Sequence, residues 1–146
     1  MAEVLEVELS EPRAPEELFE ALSAQSPPGL QVASVELCAP EERKAVAVEH
    51  AYQIAVPPER HAALAAEVKR LAAASSCPIQ RRTDGPAVDL CELLVDLKLE
   101  ADALSFRLRV GPQGGLSPRD VLGQLGLADL EQQGCVLTRT HVELGS

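Results

Sequence analysis

Apolar and polar positions alternate in three stretches of the chain. Residues 3–9 read Glu-Val-Leu-Glu-Val-Glu-Leu, interrupted only at Val4-Leu5. In residues 51–56, Tyr52, Ile54 and Val56 alternate with Ala51, Gln53 and Ala55, and in residues 104–110 Leu104, Phe106, Leu108 and Val110 alternate with Ser105, Arg107 and Arg109. A period of two sends successive side chains to opposite faces of a sheet, so each stretch predicts a half-buried strand. Residues 31–37, 78–83 and 136–144 are predicted as further strands, the last with Val136, Thr138, Thr140, Val142 and Leu144 on one face.

Helical spacing falls between these strands. Pro15, Glu16 and Glu17 suit a first helical turn, where proline needs no donor and acids meet the positive helix end. Leu18, Ala21, Leu22 and Gln25 follow on one face, and Pro27-Pro28-Gly29 stops the helix. The longest predicted helix covers residues 59–74, with Leu64, Val68, Leu71 and Ala72 as its apolar stripe. Leu90, Leu93, Leu94 and Leu97 are helically spaced and predict a short helix capped at Asp89. Ser117-Pro118-Arg119-Asp120 opens a last helix, ended by Gly126.

Strand, helix and strand thus recur three times. The last two units predict an α+β fold over residues 45–146, a ferredoxin-like βαββαβ sandwich with helices on one sheet face. An extra βαβ unit over residues 1–40 precedes it, with its complementary half expected upstream and the polar stretch 40–44 as the boundary. An unpaired unit of this kind predicts a homo-oligomer formed through it.

Composition narrows the function. Hydrophobic residues make up 46% of the chain, yet its only aromatics are Phe19, Tyr52 and Phe106. The core must be aliphatic, and single-stranded RNA would find no stacking platform. Net charge is −10, with thirteen acids against six bases in residues 1–80 and ten against seven in the remainder. That balance argues against general binding to nucleic acid or an anionic membrane. No apolar run of roughly 18 residues is present, so no membrane partner is expected, and the acidic N-terminus lacks a signal-peptide layout. The expected location is cytoplasmic. Cys38, Cys77, Cys91 and Cys135 form no Cys-x-x-Cys pair and are expected to be reduced small hydrophobes, with no metal and no cofactor.

No catalytic constellation emerges. His50, His61 and His141 lie far apart, without acids or cysteines at ligand spacing. Gly111-Pro112-Gln113-Gly114-Gly115 lacks the Lys-Ser/Thr ending of a phosphate loop. Asp96, Glu100 and Asp102 do not form a metal-binding loop. One candidate surface remains. If Phe106, Leu108 and Val110 face the helices, Arg107 and Arg109 face the open side of the sheet. Arg139 and His141 join them if Thr138 and Thr140 point inward, and Arg81 or Arg82 lies at reach. Such a basic face could hold RNA phosphate or an acidic partner. The plainer alternative is a solvated face with these arginines paired to Asp96, Glu100 or Glu143.

Several segments together resemble a bacterial family of radical-SAM-linked proteins, a domain of unknown function found beside or fused to radical S-adenosylmethionine enzymes. They are residues 3–9, Pro28-Gly29-Leu30-Gln31-Val32, Val88-Asp89-Leu90, Leu116-Ser117-Pro118-Arg119-Asp120-Val121-Leu122 and Thr138-Arg139-Thr140. The family usually carries a further segment, rich in Arg, His and aromatics, ahead of the strand at Glu3. Its absence implies that this chain corresponds to the C-terminal part of the family. The resemblance implies a radical SAM enzyme as partner and supplies no catalytic residues. The expected function is therefore a non-catalytic accessory or docking domain, with a structured-RNA-binding module linked to RNA modification as the alternative.

Overall fold

A computed structural model describes residues 3–39, 46–81, 83–111 and 115–145. The chain divides into two compact units, one within residues 2–45 and one spanning Val46–Gly145.

Within the larger unit, β1 (Val46–Ala55) leads through a 3-10 turn (Pro58–Arg60) into α2 (His61–Ala73), numbered after the N-terminal helix α1 (Pro15–Gln25). Two short strands follow, β2 (Pro78–Ile79) and β3 (Val88–Asp89), then α3 (Leu90–Leu93), β4 (Leu94–Glu100), β5 (Ala103–Arg109), α4 (Pro118–Gln124) and β6 (Leu137–Gly145). Four strands form one sheet in the order β4-β5-β1-β6, every neighbouring pair antiparallel. The architecture is mixed α+β.

The sheet buries one of its faces. Ile54 pairs with Leu104, Tyr52 with Phe106, and Leu97 and Leu99 stand beside Phe106 and Leu104. Leu64 and Leu71 of α2 and Val121 and Leu122 of α4 close over these residues, and all the large side chains among them lie in one cluster. Phe106 is the one aromatic that is fully buried; the remainder of that core is Leu, Ile and Val. No polar or charged residue is fully buried among the described residues.

Local chemistry explains the helix ends. Ser117 accepts from the backbone N–H of Arg119 (3.1 Å), and Asp120 accepts in return from the Ser117 N–H (2.7 Å), a reciprocal capping box. At the other end of α4, Gly126 adopts φ +72° and lets the Leu127 N–H reach the Leu122 carbonyl (2.8 Å). This Schellman closure needs a left-handed residue, which glycine supplies without strain.

The structure departs from the sequence expectation in several places. Residues 3–9 and 31–37 form no strand: alternation alone cannot hold an extended segment that lacks a ladder. The strand expected over 78–83 shrinks to Pro78–Ile79, paired only with Val88–Asp89. The helix expected over 88–97 stops at Leu93, and β4 takes its place as the strand beside β5. Its pattern, Asp96-Leu97-Lys98-Leu99-Glu100, alternates, but the leucines before it suggest a helix. The hairpin between β4 and β5 turns at Ala101 and Asp102 without a glycine, with Ala101 at φ +46°. Finally, Ala72 is exposed rather than part of the apolar stripe of α2. The expected boundary stretch 40–44, Arg82 and residues 112–114 of the glycine-rich loop lie outside the described residues.

Candidate functional site

The sheet register decides which basic residues can act together. Arg107 pairs with Ala51, and Arg109 with Glu49, so both point to the open face. His141 also pairs with Ala51 and joins them. Arg139 does not. It pairs with Tyr52, whose side chain packs on Phe106 (ring centroids 5.5 Å apart), so Arg139 belongs to the helix side. The cause is a β-bulge: Thr140 has no partner between the pairs Ala51–His141 and Tyr52–Arg139. One extra residue reverses the facing of everything beyond it. The expectation that Arg139 and His141 share one face is therefore corrected. Arg81 also lies elsewhere, bordering a cleft on the helix side.

The open face is not a basic patch. Arg107 forms ion pairs with Glu49 and with Glu143 (3.4 Å), and Asp96 stands opposite it on β4. Lys98 meets Asp96 at 3.4 Å. By register, Lys98, Arg107 and Arg109 share this face with Glu49, Asp96, Glu100 and Glu143. Its cations are matched by carboxylates, which leaves little net field for phosphate.

A cleft of about 240 Å³ opens on the other side of the sheet. Its polar lining includes His50, Tyr52, Arg81 and Ser117, its apolar wall is Leu108, Val110, Leu116 and Pro118, and Arg109, the last residue of β5, also borders it. His50 and Tyr52 lie two residues apart on β1, and their rings are tilted with centroids 6.1 Å apart. Burial pushes the Tyr52 phenol above its ordinary pKa, and the nearby Arg139 guanidinium pulls it partly back. Arg81 donates to the Gly115 carbonyl (2.7 Å) and lies 3.4 Å from the Asp120 carboxylate. Sequence reasoning passed over His50 and Tyr52 as site residues. The usable signal was their parity with Ile54, which places all three on one face once β1 is extended back to Val46.

The remaining candidates have structural roles. The His61 ring Nε2 bonds the Val56 carbonyl (2.9 Å) at the start of α2. Asp89 caps α3. Its Oδ1 accepts from the N–H of Cys77 (2.8 Å) and Cys91 (2.9 Å), and its Oδ2 from the Ser76 hydroxyl (2.6 Å). Those bonds, Ser76 foremost, hold its carboxyl below the ordinary aspartate range. The Cys91 thiol is pushed up by burial and by Asp89 and Cys77, which disfavours the thiolate needed of a nucleophile. No group of three metal-ligating side chains occurs among the described residues. No helix there is long and apolar enough to cross a membrane.

The N-terminal unit has a different surface. Val4, Leu5, Val7, Leu9, Phe19, Leu22, Leu30 and Leu37 are all exposed, Leu5 at 84%. No residue of α1 is buried. Residues 3–39 carry eight glutamates (Glu3, Glu6, Glu8, Glu11, Glu16, Glu17, Glu20 and Glu36) against Arg13 alone. Apolar side chains and negative charge are thus interleaved on one short unit.

Across residues 1–118 the chain matches a family described as an uncharacterized protein conserved in bacteria (DUF2344). The chain belongs to that family. The match includes the N-terminal unit and three of the four strands of the main sheet, ending at the first residue of α4. No curated protein and no solved structure matches the chain.

Proposed function

We propose that this DUF2344 member is a non-catalytic accessory domain that docks a protein partner through residues 3–39, and that the partner is a radical SAM enzyme. The observation that carries the docking reading is the N-terminal unit itself: eight exposed large apolar side chains with no core of their own, set among eight glutamates. Large apolar side chains left exposed in such number favour an interaction site. The identity of the partner rests on the resemblance to radical-SAM-linked proteins.

Charge selects among occupants. A second copy would bring an equally acidic unit, and like charges across an interface are costly. A basic surface with an apolar groove answers both features, so a heterotypic contact is favoured over a homo-oligomer. The RNA-binding alternative draws no support from the open sheet face, where carboxylates match the arginines.

For the larger unit we propose a ferredoxin-like sandwich. The support is the strand order β4-β5-β1-β6, antiparallel throughout, with α2 and α4 in the two crossover connections.

The test is affinity capture of the tagged chain from its source lysate, with and without ribonuclease, scored for a radical SAM enzyme by mass spectrometry. Capture should survive ribonuclease, weaken with salt and be lost in a Val7→Asp/Leu9→Asp variant, both positions being exposed. Equal capture by that variant would overturn the N-terminal assignment. Loss on ribonuclease treatment would replace the protein partner by RNA.

A further inference from the structure

The strand order β4-β5-β1-β6 leaves β4 and β6 as edges among the described residues, and an edge strand offers its outer N–H and C=O groups to another chain. The two edges differ. β4 is bulged at Val95 and carries Asp96, Lys98 and Glu100 at alternate positions, with Lys98 already held by Asp96 (3.4 Å). Bulges and charges of this kind blunt an edge. β6 has its bulge at Thr140, and beyond it every residue from His141 to Gly145 has a partner on β1. That stretch is a continuous edge. His141, Glu143 and Leu144 are exposed along it and Val142 is half-buried.

We infer that β6 pairs antiparallel with β6 of a second copy of this chain, about a two-fold axis at Val142. Residues opposite each other in an antiparallel pair share a face and lie within side-chain reach. With Val142 opposite its own counterpart, His141 stands opposite Glu143 of the second copy, and Glu143 opposite that copy's His141. Both residues face the open side of the sheet by register. An imidazole N–H can donate to a carboxylate, so each pair is complementary. Glu143 shares Arg107 with Glu49, and this half-exposed carboxylate keeps room for a further donor. A net charge of −10 makes most of the surface repel its own copy, so a homotypic contact needs a place where two-fold symmetry brings unlike groups together. The pair His141 and Glu143 provides it twice. The register is selective: an axis at His141 or at Glu143 would set that residue against itself. Leu144, exposed in the single chain, comes beside the second strand and gains cover. This contact lies on the larger unit and stands or falls separately from the docking reading.

The experiment is sedimentation velocity of the full chain from micromolar to millimolar concentration. So short an edge makes a small interface, and the dimer is expected toward the millimolar end. His141→Glu should weaken association about tenfold, because acids then oppose each other in both pairs. The exchanged variant His141→Glu/Glu143→His sets unlike groups opposite each other again and should restore association. Val7→Asp/Leu9→Asp should dimerise as the wild type does; loss of the dimer there would move the contact to the N-terminal unit and overturn the inference. A monomer throughout would also overturn it. So would a dimer indifferent to His141→Glu, or a loss that the exchange does not restore. Amide hydrogen exchange reads the same edge without a variant. Raising the wild-type concentration should slow exchange within residues 140–144 and leave β4 unchanged, and equal behaviour of the two edges would overturn the assignment to β6.

Discussion

Residues 3–39 and residues 46–145 are alike in apolar content and begin from the same kind of alternating pattern, yet they end differently. The larger unit buries fifteen large apolar side chains; the smaller buries none among its described residues. Both contain a helix flanked by extended, apolar-alternating segments. Only in the larger unit does each extended segment find a hydrogen-bonded neighbour and a helix to cover it. Alternation is thus a statement about what a strand would do if paired. It does not supply the pair. The surface this leaves on residues 3–39 is the one on which the proposed docking rests.

The contrast can be broken by one kind of substitution made twice. Phe106→Ala, at a 1% exposed site, should cost about 3–5 kcal/mol in chemical denaturation. Leu5→Ala, at an 84% exposed site, should change stability by less than about 0.5 kcal/mol. A comparable loss for Leu5→Ala would mean that the N-terminal unit contributes a core after all. Ser117→Ala should cost about 1 kcal/mol by removing the cap of α4, seen as a lower denaturation midpoint with unchanged slope. Ala101→Gly should act in the opposite sense, stabilising by up to about 1 kcal/mol, because φ +46° is strained for alanine and free for glycine.

The smallest expected effect is a dependence on acid, confined to the larger unit. The Asp129 carboxyl is held low by the Arg60 guanidinium (2.9 Å), and that of Glu131 by Arg119 (2.7 Å). Asp89 is held low by Ser76 and two backbone donors. A carboxyl with a depressed folded pKa stabilises fully above its unfolded pKa and loses that contribution as pH falls through the folded one. Thermal midpoints should therefore fall on acidification from the ordinary carboxylate range downward. Asp129→Asn should flatten part of that slope; an unaltered slope would remove the Arg60 pair from the account.

Much of the larger unit was legible because its signals are local. Ser117, Pro118, Asp120 and Gly126 define both ends of α4, and Phe106 with its neighbours defines β5. The miss at β4 is equally local in origin. Leu90, Leu93, Leu94 and Leu97 fit a helix by spacing, and the turn at Ala101 carries no glycine or asparagine to mark a hairpin. The site was read less well because faces are set by register, and register is a property of two strands together. Nothing in Thr138-Arg139-Thr140-His141 identifies Thr140 as the unpaired residue. The carboxylates that neutralise Arg107 come from β1, β4 and β6, far apart in the chain.

The unpaired Thr140 means that β6 carries two messages in one strand. From Leu137 to Arg139 its inward parity is odd; beyond the bulge the inward residue is Val142. A chain shortened by that one residue would keep an unbroken alternation and exchange the outlook of one half of the strand. Either Arg139 would turn to the water-facing side, or His141 and Glu143 would turn under the helices. Length at this position, rather than residue type, is what tells the last strand which side of the protein each half serves.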